Sequence, residues 1–182
     1  MTVTDVNVVK SAIFERPDDA NKGTLGSLLC VCGSYGMAGA AVMSAKGALR
    51  TGIGLAKCAL PRSIYPIVAQ TILESVYYSL NENADGRISK VNVPFLVSES
   101  CKSSATLVGC GLGVCDDTLK IVFSLIENST TPLVLDADAL NCVAKQPEIL
   151  LRKKAPIIIT PHPGEMSRLT GLATPLVNAE RE

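Results

Sequence analysis

Two short stretches carry most of the side chains able to do chemistry. Leu133 to Asn141, LVLDADALN, ends an apolar run on Asp136 and follows it with Asp138 and Asn141. Two carboxylates and an amide at the end of a strand form an oxygen-rich cluster. Such a cluster suits Mg²⁺, which takes oxygen ligands and keeps several of its waters. It could also position the phosphates of a nucleotide through that metal. Asp138 has a plainer role open to it, as N-cap of a helix beginning at Ala139. That role does not account for Asp136.

Thr160 to Glu165, TPHPGE, sets a hydroxyl, an imidazole and a carboxylate close together, and His162 is the only histidine of the chain. One histidine excludes a multi-histidine metal centre. Pro161 and Pro163 fix their own φ and push Thr160 and His162 toward extended backbone, so the turn is stiff before any ligand arrives. Gly164 and Glu165 are expected to open a helix, where a carboxylate complements the positive dipole end. A lone histidine is commonly structural; its place at a strand's carboxyl end between two rigid residues favours a working role.

Glycine marks two further turns. Gly33 to Ala41, GSYGMAGAA, reads as a strand, a turn and a helix made slim by Gly39, Ala40, Ser44 and Gly47. Gly109 to Gly113, GCGLG, is a similar turn. Glycine lets backbone approach a ligand closely, and a helix start offers free N–H groups to anions. Neither stretch is GxGxxG or a Walker loop. Tight helix-on-sheet packing would select the same small residues.

The elements that must position these groups alternate. Apolar runs at 28–32, 53–60, 75–80, 106–110, 133–135 and 157–160 read as strands, and helical spacing appears over 37–50, 119–126 and 139–145. The strands are continuously apolar, as in a parallel sheet buried on both faces. The expected class is therefore a doubly wound α/β fold, with a mainly parallel sheet and helices on both sides. In such folds ligands collect beyond the carboxyl ends of the strands, where all four motifs fall.

The totals narrow the partners. With 182 residues, 17 basic and 17 acidic, the chain suits one domain and offers no basic footprint for nucleic acid. The seven cysteines are odd in number and show no CxxC pair. Cys30, Cys32, Cys58, Cys110 and Cys142 lie in or beside apolar runs and read as small buried hydrophobes. The first residues lack a basic head and apolar core, and no run approaches the ~18 apolar residues of a membrane span. A reduced, cytoplasmic protein without membrane or nucleic-acid partners is expected. Ile157 to Ile159 reads as an interior strand wanting neighbours on both sides. Beyond Gly171 only LATPLVNAERE follows, the start of a helix, so the sheet is expected to continue past this sequence.

Taken together and in this order, KGTLGSLLCVCGSYGMAGAAVMSAKGALRTGIGLAKCALP (Lys22 to Pro61), TLVGCGLG, LVLDADALN and TPHPGEMSRL resemble the ADP- or ATP-dependent NAD(P)H-hydrate dehydratases of the ribokinase-like superfamily. The resemblance covers roughly Lys22 to Gly171, about the first two-thirds of that catalytic domain, and implies residues 1–21 as an extension before a domain from 22 to 182. It implies repair of hydrated NADH or NADPH: a nucleotide phosphorylates the hydrate hydroxyl, and loss of phosphate restores the cofactor. It places Ala40, Gly111, Gly113 and His162 against the hydrate, and Asn141 and Glu165 on the nucleotide and phosphate side. Asp136 and Asp138 would face Mg²⁺. Self-association is a further implication.

The family carries after TPHPGE a strand-borne KG segment that contacts nucleotide and then a GTGD motif that supplies the anion hole and the base; neither follows TPHPGE in this sequence. The chain alone is thus expected to be inactive, and no catalytic base is assigned. Two other readings stay open: a ribokinase-like kinase for a small molecule such as a vitamin precursor, and a non-catalytic binding or assembly subunit. LDADALN together with TPHPGE favours the dehydratase over the kinase. A GTGD segment encoded beyond Glu182 would exclude the non-catalytic subunit.

Overall fold

In β2, Leu55–Pro61, the residues Ala56, Cys58, Ala59 and Leu60 are all fully buried, so both faces of this strand are covered. Cys30 and Val31 show the same in β1, Ser27–Val31. Consecutive buried residues of this kind require layers on both sides of a sheet. The computed structural model describes residues 17–179 and supplies them. The expected extension over 1–21 lies mostly outside the described residues.

The remaining strands are β3 (Val76–Leu80), β4 (Ala105–Val108), β5 (Leu133–Leu135) and β6 (Ile157–Ile159). All six pair in parallel in the order β3-β2-β1-β4-β5-β6. The chain therefore winds outward from β1 in one direction and from β4 in the other, the doubly wound arrangement expected from sequence. Helices α1 (Ala38–Arg50) and α2 (Tyr65–Thr71) cover one face through Ala41, Ala45, Ile64 and Val68, packed on Cys30, Cys58 and Leu60. The other face carries α3 (Val93–Cys101), α4 (Asp116–Asn128) and α5 (Asp138–Val143), with Leu96, Ile121, Leu125 and Leu140 in its core. Helices α6 (Pro163–Thr170) and α7 (Thr174–Ala179) follow β6.

Two differences from the sequence reading have physical causes. The fourth strand stops at Val108, because Gly109 at φ 126° turns the chain, so Cys110 lies in the turn. Helices α2 and α3 have no counterpart in the sequence reading. YPIVAQT buries only Val68, and VPFLVSESC buries Glu99 and Ser100 beside Leu96, so neither shows an apolar stripe. As expected of a strand that wants a neighbour on each side, β6 pairs only with β5 among the described residues, and Ile158 is 59% exposed. Its partner Val134 is only half-buried, because α1 and α2 cover that face over β1 to β3 and not over β5 and β6.

Glu99 is the notable buried charge. It accepts from the Tyr78 hydroxyl at 2.9 Å and from Lys102 at 3.0 Å, with Lys57 at 3.7 Å. The Lys102 hydrogen bond holds its carboxyl below the ordinary value, against the opposing effect of burial and with help from Tyr78. A carboxyl depressed on folding contributes stability that is present above its unfolded pKa and is lost as pH falls through the folded one. Glu99→Gln should accordingly flatten the acid limb of the stability curve at pH below about 4.3. Urea unfolding of both proteins across that range checks this, and parallel acid limbs would refute it.

Candidate functional site at the carboxyl edge of the sheet

β1 and β4 lie side by side where the strand order reverses, and a crevice beyond their carboxyl ends is the usual ligand site of such sheets. The two glycine turns meet there. Gly33 donates to the Cys110 carbonyl at 2.8 Å, and the buried Ser34 hydroxyl donates to the Gly111 carbonyl at 2.8 Å. At Gly109 a Cβ would stand 1.9 Å from the Asp136 carbonyl oxygen, so this close approach is possible only for glycine. At Gly111 it would stand 2.6 Å from the Ala40 Cβ, which puts Ala40 and Gly111 in direct apposition. At Gly113 it would meet Arg87 Nε at 2.5 Å. By contrast, a Cβ at Gly39 or Gly47 would meet nothing within 4 Å, so packing inside this chain does not demand those glycines.

The β5–α5 turn completes the edge. Ala137 takes φ 48° and is the N-cap of α5, whose first residue is Asp138. The expected cap at Asp138 is therefore corrected by one position, and the carboxylate is freed for another task. Asp138 Oδ2 accepts from the Gly113 N–H at 2.8 Å, while Oδ1 accepts from Asn141 Nδ2 at 3.2 Å. Asn141 Oδ1 in turn accepts from Arg168 Nε at 2.8 Å, which ties α5 to α6. A non-glycine residue held at positive φ stores strain of the kind that collects at functional sites.

Asp136 lies one step away. Its Oδ1 accepts from the Thr160 hydroxyl at 2.8 Å and its Oδ2 from Cys110 Sγ at 3.2 Å. Among the described residues no group of three or more histidine, cysteine, aspartate or glutamate side chains converges. A cage of protein ligands for Mg²⁺ is thus not formed, but that ion is commonly bound by one or two carboxylates plus waters and phosphates. Asp136 and Asp138 fit that donor set, since each oxygen has one hydrogen bond and retains a lone pair.

His162 caps the helix that follows. The helix opens at Pro163, ahead of the expected Gly164, with His162 as N-cap. The Gly164 N–H donates to His162 Nδ1 at 3.0 Å, and the His162 N–H donates to Glu165 Oε2 at 2.9 Å. Glu165 Oε1 lies 3.2 Å from His162 Nε2. Glu165 is buried at 6% exposure, whereas the imidazole is 61% exposed. This capping box gives His162 a structural role and still leaves its ring open to a ligand. Among the described residues no hydrogen bond joins His162 or Glu165 to Asp136, Asp138 or the glycine turns; the link runs through Thr160.

The sequence reading missed three groups. Cys110 is not a buried hydrophobe but a half-buried thiol on Asp136. A hydrogen bond from Cys32 draws its pKa below the ordinary thiol value, with burial opposing and Ser44 assisting. The other four cysteines of the apolar runs are buried as expected, and all seven are free. Arg87 and Arg168 reach the site from a turn and a helix face, and nothing in their spacing announces it. An open recess of about 400 Å³ is lined by Tyr35, Ser63 and residues 82–86. It holds none of the expected site residues.

A parallel sheet wound both ways from a glycine-lined switch point, with two aspartates beside it, defines a doubly wound α/β protein. The fold matches a ribokinase-like superfamily protein from Enterococcus faecalis with a TM-score of 0.75 at 20% identity, over 93% of this chain and 57% of that one. Residues 28–181 match the family described as NAD(P)H-hydrate dehydratase. The chain belongs to that family. It is 37% identical to a bifunctional NAD(P)H-hydrate repair enzyme of Thermofilum pendens over 166 residues, 91% of this chain and 32% of that protein. It also resembles the ADP/ATP-dependent NAD(P)H-hydrate dehydratase of Bacillus subtilis, co-crystallised with ATP and Mg²⁺, with a TM-score of 0.75 and 27% identity. That match covers 96% of this chain and 58% of the Bacillus one.

Gly109→Ala should lower stability by about 2–4 kcal/mol, because the added methyl meets the Asp136 carbonyl at a strained φ. Gly47→Ala, in open space on α1, should instead raise it by about 0.5–1 kcal/mol. Denaturant midpoints of the two variants check both signs.

Proposed function

We propose that this chain carries the hydrate-facing part of an NAD(P)H-hydrate dehydratase. The reaction is repair of hydrated NADH or NADPH with ADP or ATP as phosphoryl donor. A hydroxyl leaves poorly and a phosphate leaves well, which is why the hydrate is phosphorylated before the C–O bond breaks. Phosphoryl transfer depends on positioning and charge neutralisation.

The observation that carries this reading is the apposition of Ala40 and Gly111 at the switch point, with Gly113 fixed to Asp138 on the same rim. Ala40, Gly111 and Gly113 would contact the hydrate from this rim, where the Arg87 side chain lies along Gly113. The exposed His162 imidazole offers a polar contact from the next turn. Asp136 and Asp138 would hold Mg²⁺, which when bound supplies the positive charge that phosphoryl transfer needs. Asn141 is the residue on the phosphate side; Glu165 supports it through the capping box of α6. None of these residues is assigned as the base.

Recovery of reduced-nicotinamide absorbance by the full-length protein, given NADH hydrate, Mg²⁺ and either ADP or ATP, tests the activity. No recovery with either nucleotide would sink it. Asparagine is a good N-cap, so His162→Asn should leave stability within about 0.5 kcal/mol. Hydrate affinity should nevertheless fall about tenfold. Unchanged hydrate binding would confine the imidazole to capping.

The same reading carries a cytoplasmic, self-associating protein. No helix among the described residues is long and apolar enough to cross a membrane. Sedimentation velocity of the full-length protein tests the self-association; a monomer at every concentration would overturn it.

A further inference from the structure

The segment from Glu82 to Ile88 closes on itself by an antiparallel bridge and leans over the glycine turns. Three contacts hold it there. The Tyr35 N–H donates to the Gly86 carbonyl at 2.9 Å, and a Cβ at Gly86 would stand 2.4 Å from that of Tyr35. Asn83 Oδ1 accepts from the Asp85 and Arg87 N–H groups, while Asn83 Nδ2 donates to Asp117 Oδ2 at 2.9 Å. Finally, the Arg87 side chain lies along Gly113, with Nε, Cδ and Cζ all within 3.3 Å of where a Cβ would be.

A guanidinium is thus set beside the turn that also presents Gly111 to Ala40. Its acidic contact is Asp85, at 3.4 Å between Nη1 and Oδ2, and that carboxylate is 67% exposed. So long and solvated a pair is weak. Cys115 Sγ also accepts from the guanidinium, whose remaining N–H donors form a fork that matches phosphate oxygens. On its other side the arm forms the recess bearing Glu82 and Asp85, where a phosphate would be repelled.

We propose that Arg87 is a specificity-determining residue that binds a phosphate of the hydrated dinucleotide and so sets the register of the hydrate on the Gly111–Gly113 wall. This assignment rests on the dehydratase reading. The phosphate has two sources, the pyrophosphate common to both dinucleotides and the 2′-phosphate present only in NADPH hydrate.

The test measures dissociation constants of NADPH hydrate, NADH hydrate and phosphate-free nicotinamide riboside hydrate for the full-length protein and for Arg87→Gln and Arg87→Lys. At low salt, Arg87→Gln should weaken dinucleotide binding about tenfold and leave the riboside hydrate unchanged, because only the charge-assisted contact is lost. Arg87→Lys should restore part of the loss by keeping the charge. Equal losses for both dinucleotides identify the pyrophosphate; a loss confined to NADPH hydrate identifies the 2′-phosphate. Wild-type dinucleotide binding that Arg87→Gln leaves unaltered overturns the assignment. So does an equal loss for the riboside hydrate, which marks a purely structural clamp. Should Arg87→Gln not fold, Arg87→Lys decides: its dinucleotide affinity must fall relative to the riboside hydrate, and no such difference overturns the assignment. A wild-type protein that binds none of the three overturns the dehydratase reading, and this assignment with it.

Discussion

Gly109 stands where β4 ends, and the Asp136 carbonyl oxygen lies 1.9 Å from the point a Cβ would take. That approach lets the β4 and β5 turns interlock, and the rest of the carboxyl edge follows from it. With the turns this close, Asp138 reaches across to the Gly113 N–H, and Ala139 packs beneath Gly109. The Gly111 backbone then lies flat against Ala40 from the other half of the winding. A methyl group at position 109 would part these turns, and the wall and the carboxylates would no longer share one rim.

The cores on either side of the sheet make that rim rigid, but unevenly. One core runs from β1 through α4 and α5 and buries Leu29, Val108, Leu125 and Leu135 completely. The other sets Leu60, Ile64, Val68 and Ile72 beside the small side chains of Cys30, Cys32, Cys58, Ala41 and Ala45, which let α1 sit low over β1. Burial pushes the Cys30 and Cys58 thiols up, which suits inert packing groups. Among the described residues the second face is half-covered at Val134 of β5 and exposed at Ile158 of β6. The bifunctional relative in Thermofilum pendens is about three times as long as the matched region, and this chain spans 58% of the Bacillus subtilis protein.

The strands were legible because each is a short apolar run, and the parallel class followed from runs without alternation. The motifs were legible because they sit at strand ends, where the winding gathers them. Contacts were harder to read. Asp138 looked like a cap since it precedes a helix, and only the backbone shows Ala137 at φ 48° taking that position. Cys110 looked like a core residue, yet the turn at Gly109 swings it toward Asp136. Arg87 lies 26 positions before Gly113 in the sequence, and its arm is held by Asn83 and Gly86, whose identities suggest a turn and nothing about what the turn leans on.

The two aspartates of LDADALN now separate by the nature of their partners. Asp138 accepts from a backbone N–H and from the amide of Asn141, which Arg168 holds in place, so its carboxylate is part of the scaffold. Removing it would leave the Gly113 N–H without its acceptor. Asp136 accepts from a threonine hydroxyl and a cysteine thiol, both of which can rotate aside with little disturbance of the backbone. In the proposed site both carboxylates would face the metal through their remaining lone pairs, Asp136 with partners that can turn aside and Asp138 while keeping the glycine wall in register.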